Sequence, residues 1–282
     1  MPELTLQQGT IRYRDEGTGP VLFFVHGALV DGRLWDPVVE RLRDRFRCVV
    51  PDLPLGSHEL PLKAHADLSP GGLAALLGQI LDALDLEDVT LVGNDTGGAL
   101  CQLLVVEDPE RVARLVLTDC DAFDNFPPKV FKPLVAAAKL PGGLRAVLAP
   151  MRAKPARRLP IAYGWLAKRP IPDDVMDGWV LRALADPGVM ADLRKVVGGL
   201  DPATLLDNTP KLSSFAKPVL LVWSRDDKVF PLEHAQRLAA IFPDARVEEL
   251  TDAYTFVSWD QPERVAALVA AFALQPAGSV AA

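Results

Sequence analysis

The chain has 282 residues, 49% of them hydrophobic and 24% charged, which suits one large soluble domain or a core domain with a substantial insertion. A formal net charge of −7 argues against a nucleic-acid-binding surface, and the longest apolar runs, such as VLFFV, are far too short to cross a bilayer. The start MPELTLQQGTIRYRDEG is polar and strand-like rather than a signal peptide, and Cys48, Cys101 and Cys120 lack metal-ligand spacing, so they read as reduced, buried thiols of a cytoplasmic protein with no metal site.

In chain order, Ile11–Arg14 reads as a strand, EGTGP as a turn and Val21–Val25 as a second strand. WDPVVERLRDRF carries apolar residues at helical spacing. Cys48–Pro54 is the next strand with its exit loop, and Ser69 with Pro70 opens the helix LSPGGLAALLGQILDALDL as N-cap and first residue. Val89–Gly93 is a buried-type strand, Ala99–Val106 a helix, and Arg114–Asp119 another strand. After a long interruption come PVLLVW, EHAQRLAAIF, RVEEL and PERVAALVAAFAL, alternating strand and helix, and a tail QPAGSVAA expected to fray. This alternation predicts an α/β fold: a mostly parallel sheet with helices on both faces. Ligands in such sheets bind at the carboxyl ends of strands, so the loops after Val25, Val50, Gly93, Asp119 and Trp223 should line the site.

The interruption, residues 121–208, is helical in pattern and rich in proline, as an inserted cap or lid would be; residues 1–120 and 209–282 then form the core domain. Between Asn125 and Pro172 lie ten Lys/Arg and no Asp or Glu, while the rest of the chain holds 20 basic and 37 acidic residues. Three readings stand: a solvated lid attracted to an acidic body, steering of an anionic substrate, or contact with a membrane surface.

LVGNDTGGAL, Leu91 to Leu100, is the most informative stretch. A strand ends, Gly93, Gly97 and Gly98 flank Asp95 in a G-x-Nuc-x-G spacing, and a helix begins at once. Small neighbours are needed where a nucleophile sits on a strained strand-to-helix turn. A generic turn with an Asp cap is the plainer alternative. With FVHGAL at Phe24–Leu29, WSRDDKVFP after a later strand and the final DAYTFVSWDQPE, the chain resembles the α/β-hydrolase superfamily over nearly its whole length. Asp at the nucleophile position resembles the epoxide hydrolase and haloalkane dehalogenase branch.

That resemblance implies an eight-stranded sheet with a helical lid, and a carboxylate that attacks an electrophilic carbon to give an ester, which water then cleaves. It implies Asp95 as nucleophile, the N–H groups of Ala28 and Thr96 as oxyanion hole, and Asp227 as the acid that orients a histidine. Asp226 is the less favoured neighbour, and Asp227 also reads as a helix-capping residue. The family's D-A-G-H-F loop falls on Asp252–Phe256, with Thr255 standing at the histidine. A threonine hydroxyl is neutral at pH 7 and is no useful base.

Four histidines remain. His26 reads as structural, His58 as the candidate replacement base, His65 as part of an exposed loop and His234 as solvent-facing. Thr96 also stands where dehalogenases place a halide-holding Trp, and only Tyr163 in the lid, with Tyr254 nearby, matches the tyrosines that protonate an epoxide. Trp35, Trp165 and Trp179 are open to either a pocket or a core role. Three functions stay open: a hydrolase using Asp95; a non-hydrolytic lyase, isomerase or cyclase with Asp95 as acid or base; and a ligand-binding protein without turnover. No cofactor motif is present, and the expected partner is a small, mainly hydrophobic molecule, with the basic flanks of the lid favouring one that carries a negative group.

Overall fold

The computed structural model describes residues 1–275, so the tail expected to fray lies, from Pro276 onward, outside the described residues. The aliphatic runs pair into one eight-stranded sheet in the order β1-β2-β4-β3-β5-β6-β7-β8. The strands are β1 Glu3–Leu6, β2 Gly9–Glu16, β3 Val21–Val25, β4 Arg47–Pro51, β5 Val89–Asp95, β6 Val112–Cys120, β7 Val219–Ser224 and β8 Ala245–Leu250. Only the β1/β2 and β2/β4 pairs are antiparallel. The central strands β5 and β7 are buried along their whole length, which explains why they read as continuous apolar runs and not as alternation. The expected α/β architecture is present, with one strand, β1, ahead of those placed by sequence.

The helices are α1 Asp36–Leu42, α2 Pro70–Ala83, α3 Thr96–Glu107, α4 Lys132–Ala138, α5 Gly143–Leu148, α6 Asp173–Ala185, α7 Pro187–Gly198, α8 Pro202–Asn208, α9 Leu232–Ala239, α10 Val257–Asp260 and α11 Pro262–Ala273. Ser69 caps α2 by accepting from the Gly72 N–H, with Pro70 in the first turn, as its sequence position demands. α4 to α7 share a small apolar core of their own around Leu144, Leu148, Ala183, Leu193 and Val197. α8 packs differently: Leu205 sits against Ala74 of α2 and Ala99 and Leu103 of α3, on the body.

Opposite charges join α4–α7 and their connections to the body at one edge. Lys168 pairs with Asp226 and Asp252, and Arg169 with Asp252. The N–H groups of Lys168 and Arg169 both donate to the buried Asp260 carboxylate, at 2.8–3.0 Å. No helix among the described residues is long and apolar enough to cross a membrane.

Candidate active site

Asp95 ends β5, and α3 starts at the next residue. Its φ of 54° and ψ of −133° lie outside the regions open to an ordinary L-residue, so the surrounding packing has to hold the turn. Two glycines make this possible. A Cβ at Gly97 would come within 2.4 Å of the His26 carbonyl oxygen and 2.6 Å of the Val25 one, so only glycine lets the elbow press onto the end of β3. A Cβ at Gly27 would stand 2.0 Å from Oδ2 of Asp95, which places the carboxyl directly over the bare Gly27 backbone.

Burial pushes the Asp95 carboxyl up to about 7. The N–H groups of Thr96 and Ala28 face it and favour its ionised form, while the Asp227 charge opposes ionisation. The two expected oxyanion donors therefore converge on Asp95 itself. Beneath them the His26 ring ties the loop together: Nδ1 meets the Gly27 carbonyl at 2.9 Å and Nε2 accepts from the Leu53 N–H at 2.9 Å. Burial holds this ring down to about 4, so it is neutral and braces the turn.

Behind Asp95 the final loop folds under the sheet edge. Thr255 is fully buried, and its hydroxyl donates to Oδ2 of Asp227 at 2.8 Å. Oδ1 of Asp227 accepts from the N–H groups of Val229, at 2.5 Å, and Phe230, at 2.7 Å. Burial raises the Asp227 carboxyl to about 6, with the Phe230 and Val229 amides, the Thr255 hydroxyl and Asp119 holding it lower than burial alone would. Asp227 nevertheless keeps some exposed surface, unlike Thr255. Asp226, in contrast, points outward to Lys168.

Two further carboxyls sit at the end of β6. Asp119 is fully buried; its Oδ1 accepts from the Ser224 N–H at 2.9 Å, and burial together with the Asp227 charge drives its pKa far upward. Protonated, it donates to Asp227, and this gives its otherwise unpartnered Oδ2 a bond. Asp121 is also buried and also pushed well up, by burial and then by Asp95, with the Thr96 hydroxyl donating to it at 3.3 Å. Asn94 binds this edge together, its amide donating to the Thr255 carbonyl at 2.8 Å and to the Thr118 and Asp119 carbonyls at 3.2 Å.

The histidines are elsewhere. His58 is buried, its Nε2 3.3 Å from Asp192 of α7, while its Nδ1 accepts from the Gly56 N–H at 3.3 Å. Nδ1 as acceptor leaves Nε2 to donate to Asp192, so both ring nitrogens are engaged, and His58 does not line the cavity above Asp95. His65 is exposed, as expected. His234 is a correction: it is only 8% exposed, because its ring turns inward edge-on to Phe123 at 5.6 Å.

Above Asp95 lies a narrow apolar cavity of about 80 Å³. Its floor is Ala28, Asp95 and Thr96, and its roof includes Phe131, Leu148, Met151 and Leu166. Tyr163 also lines it, but its hydroxyl donates to the Leu29 carbonyl at 2.6 Å, on the oxyanion loop. Trp35 and Trp179 are fully buried core residues, and Trp165 is part-exposed; none of the three lines this cavity.

Residues 20–262 match the family described as alpha/beta hydrolase fold. The chain belongs to the α/β-hydrolase fold family. It is 31% identical to haloalkane dehalogenase 2 of Mycobacterium tuberculosis (strain H37Rv), over 93% of this chain and 91% of that protein. It is 26% identical to the cis-3-alkyl-4-alkyloxetan-2-one decarboxylase of Shewanella oneidensis, over 90% and 82% of the two chains. Its fold superposes on the haloalkane dehalogenase from Bradyrhizobium elkani with a TM-score of 0.78 at 20% identity, covering 96% and 95% of the chains.

In this α/β hydrolase the sequence landmarks meet in space: Asp95, the Ala28 and Thr96 amides, Asp227 and Thr255 lie within one network. Asp119 and Asp121 escaped the sequence reading. Their signal is LTDCD, two carboxyls alternating at the carboxyl end of a buried strand, where an apolar run has no structural need of them.

Proposed function

We propose that this chain is a hydrolase for small, mainly apolar electrophiles, with Asp95 as its nucleophile and Asp227 in place of a histidine as its base. The observation that carries the reading is Asp95 itself, the one ionisable side chain on the floor of an apolar cavity, faced by the amides of Thr96 and Ala28. A carboxylate oxygen of Asp95 attacks the electrophilic carbon, and the leaving group departs with the bonding pair. The ester formed is then attacked at its carbonyl carbon by water. The amides of Thr96 and Ala28 hold the oxyanion, Asp227 accepts the water's proton and returns it to the departing alkoxide oxygen, and collapse frees the alcohol and the Asp95 carboxyl.

Asp227 does not line the cavity; it suits this role because it is ionised above a pKa of about 6 and lies behind Asp95, close enough for its charge to act on that carboxyl, so the attacking water would sit between the two. Thr255 does not take the proton; its hydroxyl orients Asp227. The two named relatives act, by name, on a haloalkane and on an alkyl oxetanone, both with apolar chains, which suits this cavity. The test is turnover of alkyl halides, epoxides and activated esters by the parent and by Asp227→Asn. The reading requires product from the parent and an ester that accumulates on Asp95 in the variant. An Asp227→Asn protein that turns over as fast as the parent removes Asp227 from the mechanism.

A further inference from the structure

A second cavity, with about 740 Å³ of empty space open to solvent, lies beside the first and shares Pro128 and Val130 with it as a common wall. Its chemistry differs. Lys129 and Lys228 stand in its wall, exposed, and neither forms an ion pair among the described residues; the Lys228 ammonium lies only over the Tyr254 ring, at 5.6 Å. His234 lines the same space, buried except for 8% of its surface, with Nδ1 lacking any partner. Asn125 is committed to the Val229 carbonyl, and Asp124 is the one acidic group in the wall.

The inner cavity offers a substrate carboxylate no free cation. Among its described lining residues the charged one is Asp95, which already takes up the Thr96 and Ala28 amides, and the one phenol is spent on Leu29. A carboxylate on the substrate would meet repulsion at the floor and two unpaired ammonium groups at the vestibule. A buried imidazole nitrogen without a partner is a cost that a ligand oxygen relieves.

We propose that this vestibule is a carboxylate subsite, and that the substrates are carboxylic acids with an apolar chain: the chain enters past Pro128 and Val130 toward Asp95, and the carboxylate stays between Lys129, Lys228 and His234. As a statement of substrate class it rests on the Asp95 reading, but binding tests it separately. The neutral His234 donates one N–H to the carboxylate, and the two lysines supply the charge. Part of the basic excess of residues 125–172 then has a function at the mouth beyond attraction to the acidic body.

The experiment is calorimetric titration of the full chain with octanoate and with octan-1-ol, for the parent, for Lys129→Ala/Lys228→Ala, for His234→Phe and for Asp95→Asn. Both lysines are exposed, so the double variant should fold. The subsite requires octanoate to bind roughly tenfold or more tighter than octan-1-ol in the parent. That preference should vanish in the double variant, shrink in His234→Phe with octanol binding unchanged, fade with added salt, and survive in Asp95→Asn. Equal binding of the two ligands by the parent, a preference that persists in the double variant, or no binding of either ligand overturns it. None of these outcomes bears on whether Asp95 forms an ester, which mass measurement decides separately.

Discussion

Thr255 donates its hydroxyl to Asp227 Oδ2 at 2.8 Å. On the proposed reading this neutral donor stands where the resemblance implies a histidine, and Asp227 is the acid that such a ring would face. Replacing Thr255 with His should restore a base against Asp227. The site is fully buried, so the larger ring should cost roughly 1–3 kcal/mol of stability through crowding. Ester breakdown should nevertheless quicken at least tenfold, read as faster decay of the Asp95 adduct in single-turnover mass kinetics. A decay rate unchanged in a folded Thr255→His protein would show that proton removal does not limit the second step.

The pH profile separates the two carboxyls. Attack requires ionised Asp95, so adduct formation should rise with pH, reach half its maximum near the Asp95 value of about 7 and level off above it. Ester hydrolysis should follow the Asp227 value of about 6. Thr255→Val removes one donor that holds Asp227 down, so the second limb should move to higher pH while the first stays. Quenched-flow sampling across pH 5–9 reads both limbs; a single shared limb contradicts the assignment.

Stability should run against activity. Asp95 at about 7 and Asp52 at about 8 are raised by burial above their unfolded values, so the folded state binds their protons more tightly. The stability this contributes is full below the unfolded pKa and is lost as pH rises through about 7 to 8. The melting temperature should therefore be higher at pH 5.5 than at pH 8.5. Asp95→Asn should raise the melting temperature at both pH values, and by roughly 3–6 °C more at pH 8.5 than at pH 5.5, where the penalty is only partly developed. An equal effect at both pH values would mean that charge burial is not its source.

Gly27→Ala probes the pose of the nucleophile. A Cβ there meets Asp95 Oδ2 at 2.0 Å, so the carboxyl must leave the amides of Thr96 and Ala28. Adduct formation should fall by roughly 10²–10³, comparable to losing an oxyanion donor, and the variant should melt lower than the parent, because the added Cβ also comes within 2.6 Å of the Asp95 Cβ. Parental rates in the folded variant would dissociate the pose from the chemistry.

Much of this was legible in the chain. Continuous apolar runs such as VTLVG and VLLVW announced buried parallel strands, and the glycines around Asp95 announced the elbow because close backbone approach leaves a local signature. The gaps have physical reasons. His58 carries no sequence mark of its partner Asp192, since the two are 134 residues apart and meet only when α7 packs on the body loop. His234 read as solvent-facing because its inward turn depends on Phe123 and on the bend of the chain before α9. Asp119 and Asp121 carry no local signature beyond their place at and just past the end of a strand, and only burial beside Asp227 and Asp95 drives their pKa values upward.

The most direct measurement is intact and peptide mass of the parent, with Asp95→Asn alongside, during incubation with a panel of alkyl halides, epoxides and activated esters while product is followed in the same tubes. The account predicts a stoichiometric adduct on Asp95 that forms and then decays as alcohol or diol appears, and neither adduct nor product with Asp95→Asn. Adduct on another residue, or product formed equally by Asp95→Asn, would contradict it, as would silence from the parent across the whole panel.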